Sequence, residues 1–204
     1  MQNNPFIFCY LCRKSFQLAQ MKKNSAIVVV DELYDFIDGS LACQGADDCV
    51  KNSASLLADA TVPVLFICDH HPANHCSFAE QGGPWPPHCV AGSRGGEIAE
   101  PLRPWVEESL CFYKGTDPAC EQYSGFEGVN EAGQTLDEVL QLLGCEDVLV
   151  IGIATEYCVR NTAEDLLKAG YSVSIKEDCL AWVDAAGHRD AVAAMKAEGI
   201  RFIQ

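Results

Sequence analysis

Continuous apolar runs alternate with segments of helical spacing along this chain from residue 26 onward. The run AIVVVD at residues 26–31 is typical of a strand that is covered on both faces of its sheet. The pattern predicts further strands at residues 62–69, 109–115, 147–155, 171–178 and 200–204, and helices at 46–60, 135–144, 156–170 and 188–199. This alternation predicts an α/β fold: a single-domain parallel sheet with helices on both faces, in a Rossmann-like three-layer arrangement.

The composition narrows the class of partner. Acidic residues outnumber basic ones by 29 to 14, which gives a formal net charge of −15. This charge argues against nucleic acid and anionic membranes as partners and favours a small molecule that is not strongly anionic. The twelve cysteines lie largely at apolar positions, such as Cys49, Cys111 and Cys145, and predict free thiols in a reducing cytoplasm. Self-association into a homo-oligomer stays open.

Residues 1–24 are predicted to be an extension outside a domain at residues 25–204. We interpret them as either disordered or the product of an upstream start, with Met21 as the alternative start. The order of charged and apolar residues does not fit a signal peptide, and no segment is long enough to span a bilayer, so a cytoplasmic protein is predicted. Cys9 and Cys12 form a lone CxxC pair, a weak indication of zinc or redox chemistry.

Four of the five histidines lie between residues 70 and 88, directly after a predicted strand. Asp69 and His71 are two residues apart, so an extended backbone directs both side chains to one side. A carboxylate and an imidazole placed in this way chelate a metal ion, and His75 or His88 can complete the site after the chain turns. The alternative interpretation is a polar loop whose histidines are solvated.

Reactive side chains also occur at the ends of four predicted strands. Asp31 ends the first, Asp69 the second and Lys114 the third, while Cys158 follows the fourth. Ligands of parallel α/β sheets bind beyond the carboxyl ends of the strands, so these residues are expected to share one site. Taken singly, Asp31 could be a helix cap, Lys114 a solvated strand end and Cys158 a core thiol.

Together these residues supply the parts of an acyl-transfer hydrolase. Cys158 is predicted in the first turn of a helix, where the macrodipole and a nearby Lys114 ammonium favour a thiolate. Asp31 can accept the thiol proton and pass it to a leaving group. Backbone N–H groups of the turn at residues 152–158 face the place where an oxyanion would form. The sequence has no GxGxxG or Walker-type loop, so nucleotide binding has little support.

At these residues the chain resembles the nicotinamidases, also called pyrazinamidases, within the isochorismatase-like cysteine hydrolase superfamily. The resemblance runs from residue 26 to the C-terminus and rests on VVVDELYDF, DHHPANHCSF, WPPHCVAGSRGGE, FYKGTDPACEQYSGFEG and GIATEYCVRNTAEDLLKAGY. The DxHPxNHxSF and WPPHC motifs are specific to the metal-dependent nicotinamidase branch. The Asp, Lys and Cys alone mark only the superfamily.

The resemblance implies a role for each residue. The implied catalytic triad is Asp31, Lys114 and Cys158. The implied oxyanion hole is formed by the amides of Ala154 and Cys158, with a cis peptide bond before Ala154. The implied metal ligands are Asp69, His71 and His88, with His75 as a fourth or water-mediated ligand. The implied substrate-binding residues are Phe36, Trp85 and Tyr157, of which Phe36 and Trp85 have plain core packing as their alternative.

The implied activity is hydrolysis of nicotinamide, and also pyrazinamide, through a thioester on Cys158. The products from nicotinamide are nicotinate and ammonia, which places the reaction in NAD salvage. One divalent metal ion (zinc, iron or manganese) anchors the pyridine nitrogen and positions the substrate in this family. Two alternatives stay open: a superfamily amidase acting on a carbamoyl or ureido substrate, and a non-catalytic metal-binding or thiol-redox protein.

The chain departs from the family pattern after Asp31. The usual DxQNDF motif reads DELYDF here, so Leu33 and Tyr34 replace a polar pair. We therefore expect a difference in pocket polarity or ring preference. Tyr157 and His70 are also variable features, and their effect on substrate choice stays open.

Overall fold

The computed structural model describes residues 24–204, and within them six parallel strands form one sheet in the order β3-β2-β1-β4-β5-β6. The strands are β1 (Ser25–Val30), β2 (Val64–Asp69), β3 (Cys111–Lys114), β4 (Asp147–Gly152), β5 (Ser172–Leu180) and β6 (Arg201–Ile203). The chain builds outward from β1 to β3 and then from β4 to β6. The strand order therefore reverses between β1 and β4, where parallel sheets bind their ligands.

Helices cover both faces of this sheet. They are α1 (Tyr34–Ile37), α2 (Ala46–Leu57), α3 (Leu136–Leu142), α4 (Arg160–Lys168) and α5 (Ala185–Glu198), and a π-helical turn, Thr155–Val159, precedes α4. One core contains Cys49 and Leu57 of α2, and the other contains Leu140 of α3, Leu166 of α4 and Met195 of α5. The predicted α/β fold with helices on both faces is confirmed.

The central strand explains the apolar run at the start of the domain. All six residues of β1 are buried, and alternate side chains enter opposite cores. Ile27 and Val29 pack in one core, whereas Ala26, Val28 and Val30 pack in the other. A strand between two neighbours and two helical layers has no solvent-facing side, which is why its sequence does not alternate.

Some predicted boundaries differ from the observed ones. The third strand begins at Cys111, because residues 108–110 form a 3₁₀ turn. The fourth strand ends at Gly152, where φ is 125° and where a Cβ would lie 2.8 Å from the carbonyl carbon of Val30. The helix predicted from residue 156 starts as the π-helical turn and becomes α-helical at Arg160. The short helix α1 was missed.

The predicted extension lies outside the described residues except for Asn24, as do Cys9 and Cys12. The ten cysteines within residues 24–204 are all free thiols. No helix in this described part is long and apolar enough to cross a membrane.

Candidate active site

The sheet register brings the predicted catalytic residues together. Asp69 and Lys114 are paired neighbours at the ends of β2 and β3, and Asp31 directly follows β1. The Lys114 Nζ atom lies 3.0 Å from Asp31 Oδ2 and 3.4 Å from Cys158 Sγ, and it also contacts Asp69 Oδ1. One buried ammonium group therefore bridges both carboxylates and the thiol.

The backbone at Asp31 turns sharply as it leaves the sheet. Its φ is 49°, a left-handed value that is uncommon for a residue other than glycine. Its N–H still donates to the Ile67 carbonyl at 2.9 Å, while its carbonyl already accepts from Leu33 at 2.8 Å. Its Oδ1 accepts from the Asp69 N–H at 2.9 Å, which fixes the carboxylate beside Lys114.

Burial and mutual charge set the protonation of this group. Burial would lower the pKa of Lys114, but the carboxylates of Asp31 and Asp69 raise it well above its usual value, so the ammonium stays charged. Burial and the Asp69 carboxylate raise the pKa of Asp31 to about 6, although Lys114 opposes the increase. Burial also favours a raised pKa for Asp69, but Lys114 and His71 outweigh it and lower that pKa. Asp31 is therefore the more basic carboxylate.

The surroundings of the Cys158 thiol disfavour its ionisation. Burial raises its pKa well above the usual range, and Lys114 offsets the increase only in part. Lys114 lowers the thiol pKa in the direction expected from the sequence, but the net shift is upward, because desolvation outweighs the attraction of one ammonium. A side-chain hydrogen bond links the thiol to Asp31, which is therefore placed to accept its proton.

The turn that carries Cys158 is attached firmly to the loop after β5. Thr155 Oγ1 donates to the Ala181 carbonyl at 2.9 Å. Glu156 Oε1 accepts from the N–H groups of Val183 and Asp184 at 2.9 and 2.8 Å. The peptide bond between Ile153 and Ala154 is cis, and Ala154 and Cys158 both line the pocket.

A second set of side chains next to the catalytic group can hold a metal ion. Asp69, His71 and His88 each offer one ligand atom, and these atoms lie within 4.8 Å of one another. The Nδ1 atoms of His71 and His88 lie 3.0 and 2.8 Å from the carbonyls of Gly115 and Pro86. Because a carbonyl only accepts, Nδ1 carries the proton in each ring and Nε2 presents its lone pair, the tautomer that metal-binding histidines adopt.

The environment of His71 fits a bound metal. Its Nε2 atom is buried and has no hydrogen-bond partner, and Asp69 Oδ2 lies 3.5 Å away. A buried polar atom without a partner is uncommon and costs free energy. A cation held by His71, His88 and Asp69 would satisfy this atom, so the residues present fit the implied metal.

His75 is close to this set but is already engaged. Its Nδ1 lies 2.7 Å from Ser77 Oγ, and its Nε2 lies 3.0 Å from the Cys120 carbonyl. Its ring centroid is 4.1 Å from that of His71. His75 also belongs to a second group with His71 and Glu121, whose ligand atoms lie within 4.8 Å of one another. Both ring nitrogens of His75 are thus hydrogen-bonded, so direct ligation by either one would require its present hydrogen bonds to break.

An aromatic pocket opens in front of the thiol and the metal ligands. Its lining residues are Phe36, Leu41, Asp69, Trp85, His88, Glu121, Tyr123, Ala154, Tyr157, Cys158 and Val183. The rings of Trp85 and Tyr157 meet edge to face at 5.2 Å, and Trp85 Nε1 donates to the Tyr123 hydroxyl at 3.3 Å. Phe36 packs 5.5 Å from the His88 ring. The three predicted ring-binding residues therefore line one pocket with the thiol.

Sequence reasoning missed four lining residues: Leu41, Glu121, Tyr123 and Val183. Glu121 and Tyr123 belong to the motif that follows Lys114, and an acidic and an aromatic residue two positions apart was the signal available there. The departures at Leu33 and Tyr34 fall elsewhere: Leu33 is fully buried in the core, and the Tyr34 ring lies beneath the Arg94 guanidinium at 4.0 Å. Neither residue lines the pocket.

A buried lysine, two acids and a thiol lie together beside side chains that could hold a metal ion, and comparison with known proteins shows the class of protein that carries this arrangement. The family model described as "Isochorismatase domain" matches residues 25–204. The chain belongs to the isochorismatase family. This membership and the relatives' names confirm the predicted family and the predicted enzyme class, an amidohydrolase.

Several relatives are nicotinamidases or pyrazinamidases by name. A nicotinamidase/pyrazinamidase of Mycobacterium tuberculosis is 38% identical over 166 residues, which cover 78% of this chain and 88% of that protein. The zinc complex of a Pyrococcus horikoshii pyrazinamidase superposes with a TM-score of 0.81 at 34% identity, covering 89% of this chain and 99% of that one. PnC1 from L. infantum in complex with nicotinate has a TM-score of 0.79 at 30% identity, covering 90% and 94%.

Proposed function

We propose that this protein is a metal-dependent nicotinamidase, which converts nicotinamide and water into nicotinate and ammonia and also accepts pyrazinamide. The observation that carries the proposal is the contact of Lys114 with Asp31, Asp69 and the Cys158 thiol, directly beside the Asp69, His71 and His88 set. The nicotinamidase relatives support the choice of substrate. We place the reaction in the cytoplasm, in NAD salvage.

The proposed metal site uses Asp69, His71 and His88 for one divalent ion of zinc, iron or manganese. A zinc complex among the structural relatives supports zinc as the first candidate. When bound, the ion would anchor the ring nitrogen of the substrate and so orient the amide toward the thiol. His75 would act as a fourth or water-mediated ligand.

Acylation begins with transfer of the Cys158 proton to Asp31. The sulfur forms a bond to the amide carbon, and the carbonyl oxygen takes up the negative charge, which the N–H groups of Ala154 and Cys158 stabilise. Lys114 stabilises the thiolate as it forms, since its ammonium lies 3.4 Å from the sulfur. The C–N bond then breaks as Asp31 returns its proton to the nitrogen, and ammonia leaves.

Deacylation reverses the roles of the same groups. Asp31 takes a proton from water, the resulting hydroxide attacks the thioester carbon, and the C–S bond breaks. The product acid is released, and Cys158 recovers a proton. The flat aromatic ring stays between Phe36 and Trp85, with Tyr157 at the edge, throughout both half-reactions.

Ammonia release from nicotinamide tests the proposal directly. The assay compares wild type with Cys158→Ala, each as purified and after removal of metal by a chelator, and then after zinc, iron or manganese is added back. We expect release that depends on both the thiol and the metal. Faster turnover of carbamoyl or ureido substrates would favour a different amidase of the superfamily, and metal binding without any turnover would favour a non-catalytic protein.

A further inference from the structure

A carboxylate outside the pocket holds the backbone next to a predicted metal ligand. Asp35 lies in α1, directly before the pocket residue Phe36. Both of its carboxylate oxygens accept backbone hydrogen bonds. Oδ2 accepts from the Cys89 N–H at 2.7 Å, and Oδ1 accepts from the Ser40 N–H at 3.2 Å. Asp35 therefore joins the α1 segment to the residue after His88.

Cys89 has a left-handed backbone conformation, which is uncommon for a residue other than glycine. Its φ is 47°, which a residue with a Cβ adopts only at a cost, and its side chain is fully buried. Its carbonyl accepts from the His71 N–H at 3.0 Å. The two hydrogen bonds of Cys89 therefore connect Asp35 to His71, while its own covalent neighbour is His88.

The carboxylate is enclosed closely enough to hold one orientation. A Cβ built on Gly95 would lie 2.6 Å from Asp35 Oδ1, so only glycine leaves the carboxylate in place. The neighbouring Gly96 is different, because its Cβ would meet the Val90 carbonyl at 3.4 Å, an ordinary contact. Neither glycine has a positive φ, so alanine is compatible with the backbone at both positions.

We propose that Asp35 is a positioning residue that sets metal affinity by holding Cys89 in its left-handed conformation and thereby fixing His88 against His71. The inference deepens the proposed metal site and rests on the proposed function. Asp31 makes the equivalent contact for the other ligand, since its Oδ1 accepts from the Asp69 N–H at 2.9 Å. Two carboxylates of the segment that follows β1 would thus position the ligands on both sides of the ion.

The first test measures the zinc dissociation constant of metal-free protein by competition with a chelator. Asp35→Asn keeps the side-chain shape but offers one acceptor oxygen to two N–H groups, so one of them loses its partner. We expect zinc affinity to fall at least about tenfold, the effect typical of groups that orient metal ligands. The matched control is Asp38→Asn, just after α1, which removes an exposed ion pair with Arg94 and should leave affinity unchanged.

The second test asks whether the effect acts through the conformation of Cys89. Cys89→Gly and Cys89→Ala remove the same thiol, but only glycine adopts a positive φ without penalty. The loss caused by Asp35→Asn should therefore shrink to within about threefold in the Cys89→Gly background and persist in the Cys89→Ala background. Equal losses in both backgrounds would refute the mechanism and leave Asp35 with a general structural role.

The third test shifts the Asp35 carboxylate and leaves the Asp35 residue itself unchanged. It therefore tests the proposal even if Asp35→Asn does not fold. Gly95→Ala should weaken zinc binding, whereas Gly96→Ala should not. Wild-type affinity in Gly95→Ala or in Asp35→Asn would overturn the inference. Failure of the proposed function has a separate sign, namely wild-type protein that binds zinc but releases no ammonia from nicotinamide, and that result leaves the role of Asp35 in zinc binding intact.

Discussion

The two halves of the site are held in place by different means. Asp31, Asp69 and Lys114 sit at the carboxyl ends of three adjacent strands, where the backbone ladder of the sheet sets their spacing. His71 and His88 lie outside the named strands, and their rings are oriented by hydrogen bonds that their Nδ1 atoms donate to the carbonyls of Gly115 and Pro86. The catalytic group is thus part of the sheet, whereas the metal-ligand set depends on contacts of individual side chains and loop carbonyls.

The two halves of the site should therefore be sensitive to different kinds of substitution. The strand-end group is rigid but carries charge that is fully buried, so we expect it to respond most strongly to changes of charge. The histidine segment is nearly neutral, so we expect it to respond to changes of geometry through metal binding. Four predictions probe this contrast, in order of decreasing effect.

Loss of the nucleophile should have the largest effect, and on activity alone. Cys158→Ala is expected to reduce ammonia release from nicotinamide by at least about 10³-fold, as removal of a covalent nucleophile does in other enzymes. Zinc content and melting temperature should stay close to wild type, because the thiol is proposed as the nucleophile and not as a metal ligand. Cys145→Ala is the control, since Cys145 does not line the pocket. Substantial residual turnover in Cys158→Ala would exclude the thioester mechanism.

Removal of the bridging charge should destabilise the fold. Lys114→Met leaves the buried carboxylates of Asp31 and Asp69 without their cation, at a cost of about 3–5 kcal/mol. Urea unfolding of metal-free protein measures this loss. Lys168→Met, which removes an exposed ion pair with Asp165, should leave the free energy of unfolding nearly unchanged. Similarly small effects in both variants would show that the sheet, and not the buried charge, dominates the free energy of unfolding.

A buried acid next to Asp31 should make stability depend on pH. Ser53 donates to Glu32 Oε1 at 2.6 Å, and burial raises the pKa of Glu32 to about 8, with the Ser53 bond opposing. Glu32 therefore ionises at lower pH in the unfolded chain than in the folded protein. Its contribution to stability is fully present below the pKa of the unfolded chain and is lost as pH rises toward 8. The loss is on the order of 2–4 kcal/mol.

Glu32→Gln should remove this contribution. Urea unfolding at pH 5 and pH 8 should show a smaller decrease in the variant than in wild type, whereas exposed Glu198→Gln should behave as wild type. An identical decrease in Glu32→Gln would mean that other groups cause the pH dependence.

Changes in the histidine segment should act on metal content with little effect on the fold. His71→Ala and His88→Ala are expected to lower bound zinc at least about tenfold, and His75→Ala less, because its nitrogens already bond Ser77 and Cys120. Metal analysis of purified variants measures the difference. Full occupancy in both the His71 and His88 variants would refute the ligand assignment, and a greater loss in the His75 variant would place the ion beside Glu121.

The sequence pattern predicted six strands and four of the five α-helices found within residues 24–204, together with the reactive residues at the strand ends. Apolar runs predicted the buried strands, and parallel α/β sheets collect their strand ends at one edge, so the meeting of Asp31, Asp69 and Lys114 followed from local pattern and a general rule. The motif around Thr135 likewise predicted a helix start, which the structure shows as a capping box with Glu138. Such signals are local, since they depend on residues a few positions apart.

Other properties of the site, such as the pKa of the thiol and the hydrogen bonds of His75 and Asp35, required the tertiary structure. They depend on residues far apart in sequence. The raised pKa of the Cys158 thiol follows from its burial, which spacing along the chain does not reveal. The hydrogen bond between His75 and the Cys120 carbonyl joins segments 45 residues apart. The hydrogen bond from the Cys89 N–H to Asp35 joins segments 54 residues apart. Sequence pattern identifies which groups can react or bind, whereas packing determines how much water, charge and conformational freedom each one keeps.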